Sequence, residues 1–123
     1  MPVDYTFDGK SKIVHLQSVG LYTESERSQC VVRVMDDDSI PKDSHILIDI
    51  SKGENVPDFA ECGEIVSLLR SLLHVFGGRL AIVDGQIHRQ VMNTIIVGTA
   101  SQFTDRLRRF DNETDAKAWL LSA

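Results

Sequence analysis

Two short apolar runs constrain what this chain can fold into. Residues 45–50 read His-Ile-Leu-Ile-Asp-Ile, and residues 80–83 read Leu-Ala-Ile-Val. Runs this short and this apolar are typical of strands that are buried on both faces of a sheet. Segments with helical periodicity follow both runs. Strands that alternate with helices predict an α/β fold with a mostly parallel sheet.

The N-terminal third predicts a hairpin and a first helix. Residues 5–7 and 12–19 are rich in strand formers, and an Asp-Gly turn signal lies between them. We expect these two strands to form an antiparallel edge. Thr23 and Glu26 have the spacing of a capping box, which predicts the start of a helix. The acidic residues 36–38 oppose the negative end of that helix, so it should end near them.

The middle of the chain predicts a loop and a long helix. Residues 51–56 are interpreted as a loop. Pro57 suits the first turn of the helix that follows, which carries an apolar face up to residue 76. The glycine pair 77–78 should end this helix, because one of the two can take the left-handed conformation that a helix end needs.

The C-terminal third contains one ambiguous segment. Residues 86–100 have helical spacing, but Thr-Ile-Ile-Val within them is also typical of a strand. A helix is the preferred interpretation, because it keeps the alternation of elements regular. Residues 106–110 predict the last strand, and Asp111 or Asn112 the cap of a final helix that buries one side of Trp119. The predicted order is β-β-α-β-α-β-α-β-α in one domain, residues 1–123.

Composition narrows the class of protein. The 123 residues are enough for one domain with its own core. A net charge of −5 gives no basic surface for nucleic acid or an anionic membrane. Cys30 and Cys62 fall in helical patterns, so free thiols in a reducing compartment are expected. Neither a signal peptide nor a membrane span is recognisable in the sequence, which predicts a cytoplasmic protein.

The element order and two local patterns resemble the SpoIIAA-like family, the STAS relatives of bacterial anti-sigma-factor antagonists. The first pattern is Gly-Leu-Tyr-Thr-Glu-Ser-Glu at residues 20–26, which resembles the family's entry to the first helix. The second resembles the C-terminal ending of many family members. It consists of Arg109, Phe110, Glu113, Ala116, Trp119 and Leu120. The resemblance spans most of the chain and implies a SpoIIAA-like fold, a stacked β-α superhelix with an N-terminal hairpin edge.

The resemblance also implies a function for the chain as a regulatory or protein-interaction domain. In anti-sigma-factor antagonists, a serine in an Asp-Ser-Ser-Gly turn is phosphorylated to release a kinase partner. Here Asp58 matches the acid of that turn, but Phe59 and Ala60 stand where the serines should be. We therefore expect a domain without this phospho-switch. Other relatives bind apolar or lipid-like ligands between the sheet and the helices, which leaves a second functional prediction open.

Four polar residues after the central strands are candidates for a ligand or partner site. Folds of this class place ligands outside the carboxyl ends of the parallel strands. There the sequence places Asp49, Ser51, Asp84 and His88. Asp84 and His88 are one helical turn apart and could serve in acid–base chemistry, which is the weaker, enzymatic alternative. The competing interpretation is that both aspartates only accept hydrogen bonds from nearby amides and cap the next helix.

The sequence contains no recognisable catalytic motif, cofactor motif or metal-ligand spacing. The four histidines are too scattered to predict a metal site. We therefore expect a non-enzymatic protein without cofactor. If all helices lie on one side of the sheet, its second face is left uncovered, and a symmetric homodimer would cover it. The predicted partners are thus a second copy of the chain, another protein or an apolar small molecule.

Overall fold

In a computed structural model, residues 2–54, 58–85, 89–103 and 105–122 are described. They form five strands and four helices in the predicted order, which confirms the α/β class. The strands are β1 Val3–Asp8, β2 Ile13–Gly20, β3 His45–Gly53, β4 Leu80–Val83 and β5 Leu107–Phe110. The helices are α1 Glu24–Asp36, α2 Phe59–Val75, α3 Arg89–Phe103 and α4 Glu113–Leu121. None of the described helices is long and apolar enough to span a membrane.

The strands form one sheet in the order β1-β2-β3-β4-β5. β1 pairs with β2 antiparallel and supplies the predicted hairpin edge, whereas the other neighbours pair parallel. The sheet is therefore mostly parallel and mixed, as predicted. β3 lies at its centre, so the carboxyl ends of four strands open at the same edge.

The central strand is longer than predicted. Residues 51–53 belong to β3 and not to a loop. Lys52 pairs with Val19 and Gly53 pairs with Gly20 across a shift in the register of β2. The strand continues past its apolar run because β2 offers backbone hydrogen-bond partners there. The hydrophobic pattern of the sequence does not reveal these partners. Ser51 is consequently a strand residue.

Three helices pack against one face of the sheet, where the larger apolar cluster of the protein lies. The strand residues in this cluster are Val3, Val14, Leu16, Ile46, Leu80, Ile82 and Leu107. Their helical partners are Cys30, Val31 and Val34 of α1, Leu69, Leu72 and Leu73 of α2, and Met92 and Ile95 of α3. The predicted helix in the ambiguous segment is thus confirmed for residues 89–103, with Met92 and Ile95 as inward residues.

The fourth helix covers the opposite face of the sheet. Ala116 and Leu120 of α4 are fully buried against apolar strand residues, with Trp119 packed beside them. The strand residues they contact are Ile13, Leu47, Ala81 and Val83. The expectation that all helices lie on one side is therefore wrong. A single apolar stripe on a nine-residue helix was enough to cover the second face at β3 and β4.

Caps define where three of the helices begin. Thr23 caps α1 with the predicted capping box, in which the Thr23 side chain and Glu26 satisfy each other's backbone N–H. Asn112 caps α4 by accepting from the Asp115 N–H. Asp58 caps α2 by accepting from the Glu61 N–H. Pro57, which was predicted to lie in the first turn of α2, falls outside the described residues.

The end of α2 does not use a left-handed glycine, contrary to prediction. The C-cap is Phe76, and neither Gly77 nor Gly78 has a positive φ. Arg106 instead donates to the carbonyl oxygens of Leu73, Phe76 and Gly78. Gly78 is needed for a different reason, since a Cβ atom there would lie 2.3 Å from the carbonyl oxygen of Ser44.

Candidate functional site

Asp49 and Ser51 lie together at the carboxyl end of β3. Asp49 is buried. Its Oδ1 accepts hydrogen bonds from the backbone N–H of Ser51 at 2.9 Å and from Ser51 Oγ at 2.5 Å. The carboxylate of Asp49 therefore binds the end of its own strand. This agrees with the competing interpretation, in which the aspartate only accepts hydrogen bonds from groups nearby.

Asp84 lies just past the end of β4 and is paired with an arginine of β5. Arg109 Nε donates to Asp84 Oδ2 at 2.7 Å, and Arg109 Nη2 donates to the carbonyl oxygen of Gly85 at 2.8 Å. The hydrogen bond to Asp84 raises the pKa of the Arg109 guanidinium. The Asp84 side chain has no exposed surface, so this pair fixes β4 against β5. His88, the proposed partner of Asp84, lies outside the described residues.

The structure keeps the predicted aspartates in separate groups. Asp49 is in register with Val83 on the neighbouring strand, one residue before Asp84. Asp49 lies near Glu113 of α4, whereas Asp84 pairs with Arg109. Asp49 and Asp84 therefore do not converge on each other as a carboxylate pair for acid–base chemistry.

Asp49 does take part in a group that the sequence did not reveal. His15, Asp49 and Glu113 each place one potential metal ligand within 4.8 Å of the others. The three come from β2, β3 and α4, so no spacing in the sequence links them. Lys117 Nζ already lies 3.0 Å from Glu113 Oε1, and His15 Nδ1 lies 3.8 Å from the same oxygen. A divalent cation that took this oxygen would compete with Lys117 for it.

A cavity of about 70 Å³ lies between the sheet and helices α1 and α2. Its lining is mostly aliphatic. The strands contribute Leu16, Ile48 and Ile82, and the helices contribute Val31, Leu69 and Leu72 among others. Three polar residues also line it, namely Ser18, Tyr22 and Arg27. The sequence predicted the apolar helix that forms one wall, but not that a cavity remains beside it.

Among the described residues of this lining, Arg27 is the one that carries a charge, and it is not among the residues predicted from the sequence. Its side chain is 13% exposed, although it belongs to the first turns of an amphipathic helix. Nε and Nη2 are buried with no hydrogen-bond partner among the described residues. The sequence did contain a signal for the burial of Arg27. This residue lies three and four positions before Cys30 and Val31, so it continues the buried stripe of α1.

The two cysteines lie in α1 and α2, as expected, and both thiols are free. Cys30 is buried in the main apolar cluster, and burial raises the pKa of its thiol. A raised pKa lowers the fraction of reactive thiolate. Cys30 is therefore a core residue and not a nucleophile.

Comparison with known proteins gives no independent guide to function. No family model matches the chain, and no curated protein matches it. The cavity and its polar lining are thus the features from which a function has to be inferred.

Proposed function

We propose that this protein binds a small apolar or lipid-like molecule in the cavity between the sheet and helices α1 and α2. The observation that supports this proposal is the cavity itself. Protein cores are packed about as densely as organic crystals and leave few voids larger than a water molecule. A cavity of about 70 Å³ is well above the size of a single water site. Its aliphatic lining offers few partners to water, so an apolar occupant fits it better.

The size of the cavity limits the ligand. An engineered apolar cavity of about 150 Å³ binds benzene. The present cavity has about half that volume, so it accommodates a chain of a few carbons or the end of a longer acyl chain. The SpoIIAA-like resemblance supports the same proposal, because it implies apolar ligands between sheet and helices. We propose the SpoIIAA-like fold on the same grounds, since the order of strands and helices is compatible with it.

Native mass spectrometry of protein purified gently from its own cells tests this function. We expect a stoichiometric small-molecule adduct that organic extraction removes. Rebinding of the extracted molecule should stabilise the protein by about 2.7 kcal/mol at a hundredfold excess over its Kd. A bare protein mass, with no rise in melting temperature in a screen of amphiphiles, would count against the proposal.

Two neighbouring valines of α1 provide a matched control. Val31 lines the cavity and is 5% exposed, whereas Val32 is 46% exposed on the other side of the helix. We expect Val31→Phe to lose the adduct, because the larger ring fills the cavity. Val32→Phe should keep it. Equal adduct levels in the two variants would place the ligand elsewhere.

The role of a regulatory or protein-interaction domain is a second proposal, and one observation favours it. Val19 near the end of β2 and Leu21 in the loop before α1 flank Gly20, and they are 50% and 71% exposed. Exposed apolar side chains next to each other are suited to contact with a partner protein. We expect Leu21→Asp to reduce capture of a specific partner in pull-down experiments while the small-molecule adduct is retained. Unchanged capture would remove the support for this role.

A further inference from the structure

We propose that the ligand of this cavity carries a carboxylate head group and that Arg27 binds it. The inference rests on the proposed function and names the chemical class of the ligand. It starts from the guanidinium of Arg27, a charged group in a mostly apolar environment. Arg27 lines a cavity whose other residues are mostly aliphatic, and two of its three guanidinium nitrogens are buried without a partner among the described residues.

An unpaired buried donor is costly. Leaving a donor without its hydrogen bond costs about 1–3 kcal/mol, and more when the group is charged. Arginine is almost never buried unless it is paired. The described residues supply one partner for Arg27, Glu61, whose Oε2 lies 3.9 Å from Nη1. That distance is too long for a hydrogen bond and leaves Nε and Nη2 unsatisfied.

Nε and Nη2 define the shape of the missing partner. Both have almost no accessible surface in the described structure, so a ligand reaches them when the Arg27 side chain turns toward the cavity that it lines. The N–H groups of Nε and Nη2 lie on one edge of the planar guanidinium and point the same way. This edge matches the two oxygens of a carboxylate, which accept both hydrogens in a bidentate pair. A short acyl chain attached to that carboxylate would lie along the aliphatic lining formed by residues such as Val31 and Leu69.

The carboxylates around Arg27 set the expected strength of binding. Glu24, Glu61 and Glu64 lie close enough to one another that repulsion, chiefly from Glu64, raises the pKa of Glu24. They also repel an incoming anion. Glu61 is the residue that contacts Arg27, so it competes most directly with the ligand.

Titration calorimetry with hexanoate and hexanamide tests the inference on the protein freed of any adduct. The two probes have the same shape, but hexanamide is neutral and can accept only through one oxygen. We expect hexanoate to bind about tenfold more tightly, because hydrogen bonds to charged groups are stronger. In Arg27→Met this preference should disappear while hexanamide still binds. In Arg27→Lys it should be intermediate, because the charge remains without the planar edge.

Two further variants sharpen the test. Arg33→Met is the matched control, because Arg33 lies on the same helix but pairs with Asp4 outside the cavity lining. It should keep the preference for hexanoate. Glu61→Gln removes the competing carboxylate, so it should tighten hexanoate binding severalfold and leave hexanamide binding unchanged.

The outcomes separate this inference from the proposed function. Equal affinities for both probes in the wild type would overturn the carboxylate inference and leave apolar binding standing. A preference for hexanoate that survives in Arg27→Met would also overturn it. Failure of both probes to bind would overturn both proposals for ligands of this size. A thermal melt of Arg27→Met checks that the variant is folded, and its retained binding of hexanamide shows that the cavity is intact, so a loss of folding is distinguished from a loss of the carboxylate contact.

Discussion

His45 begins β3, and its imidazole joins two parts of the chain. Its Nδ1 accepts a hydrogen bond from the backbone N–H of Arg79 at 2.9 Å. Arg79 in turn donates to the carbonyl oxygen of Trp119 at 2.8 Å. The accepting nitrogen must be unprotonated, so this contact requires the neutral imidazole. Burial lowers the pKa of His45, which keeps the ring neutral in the folded protein.

The lowered pKa of His45 predicts how stability depends on pH. The unfolded state binds a proton at this residue more readily than the folded state does. The contribution of His45 is therefore fully present above its unfolded pKa of about 6.5 and is lost as the pH falls through the lower folded pKa. Urea unfolding of the wild type should show a decline in the free energy of unfolding over this range. His45→Asn keeps an acceptor that does not titrate, so its decline should be shallower. Identical slopes would contradict the role of His45.

Helix α4 shows how an element with little intrinsic amphipathicity can have a defined position. Its nine residues place Ala116 and Leu120 on the sheet, and both are fully buried. Trp119 packs on Phe110 with ring centroids 5.5 Å apart, and the Arg79 guanidinium lies 4.9 Å from the Trp119 ring centroid. These contacts fix the helix across β3 and β4, where the second apolar cluster lies.

Two adjacent leucines of α4 test the importance of this packing. Leu120 has no exposed surface, whereas Leu121 is 57% exposed. Leu120→Ala should lower the free energy of unfolding by about 2–5 kcal/mol, because it removes buried methyl groups and leaves a cavity under the helix. Leu121→Ala should change it by less than about 0.5 kcal/mol. Denaturant unfolding of both variants measures the difference, and comparable losses would show that α4 does not seal the second face.

The position of α4 removes the premise of the predicted homodimer, which is an uncovered second face of the sheet. The second sheet face does not need a partner chain at β3 and β4, since α4 covers it there. A homodimer therefore has to use another surface. Val19 and Leu21 are the best candidates, because they are exposed neighbours at the carboxyl end of β2 and in the loop that follows it.

Size-exclusion chromatography with light scattering tests the homodimer. If two copies meet at Val19 and Leu21, the wild type should have the mass of a dimer at micromolar concentration. Leu21→Asp should then shift it to a monomer, because a charge in an apolar contact is costly to desolvate. Val97→Asp is the control, since Val97 is 76% exposed on α3, away from this patch. A monomeric wild type would contradict the homodimer.

The candidate site was predicted only in part. The sequence located Asp49, Ser51 and Asp84 at the carboxyl ends of the strands, because a mostly parallel sheet orders its strand ends along one edge. It could not assign their partners. The bond between Asp84 and Arg109 joins residues 25 positions apart, and the cavity depends on how α1 and α2 fit over the sheet.

The class of fold and the order of its elements follow from local features of the sequence. Hydrophobic period, capping residues and short apolar runs are local, so they could be recognised at Thr23, in residues 80–83 and at Asn112. The face of the sheet that each helix covers, the length of β3 and the position of Arg27 depend on tertiary contacts. These outcomes depend on contacts between residues that are far apart in the chain. Such contacts determine whether a polar side chain faces solvent, another residue or a cavity.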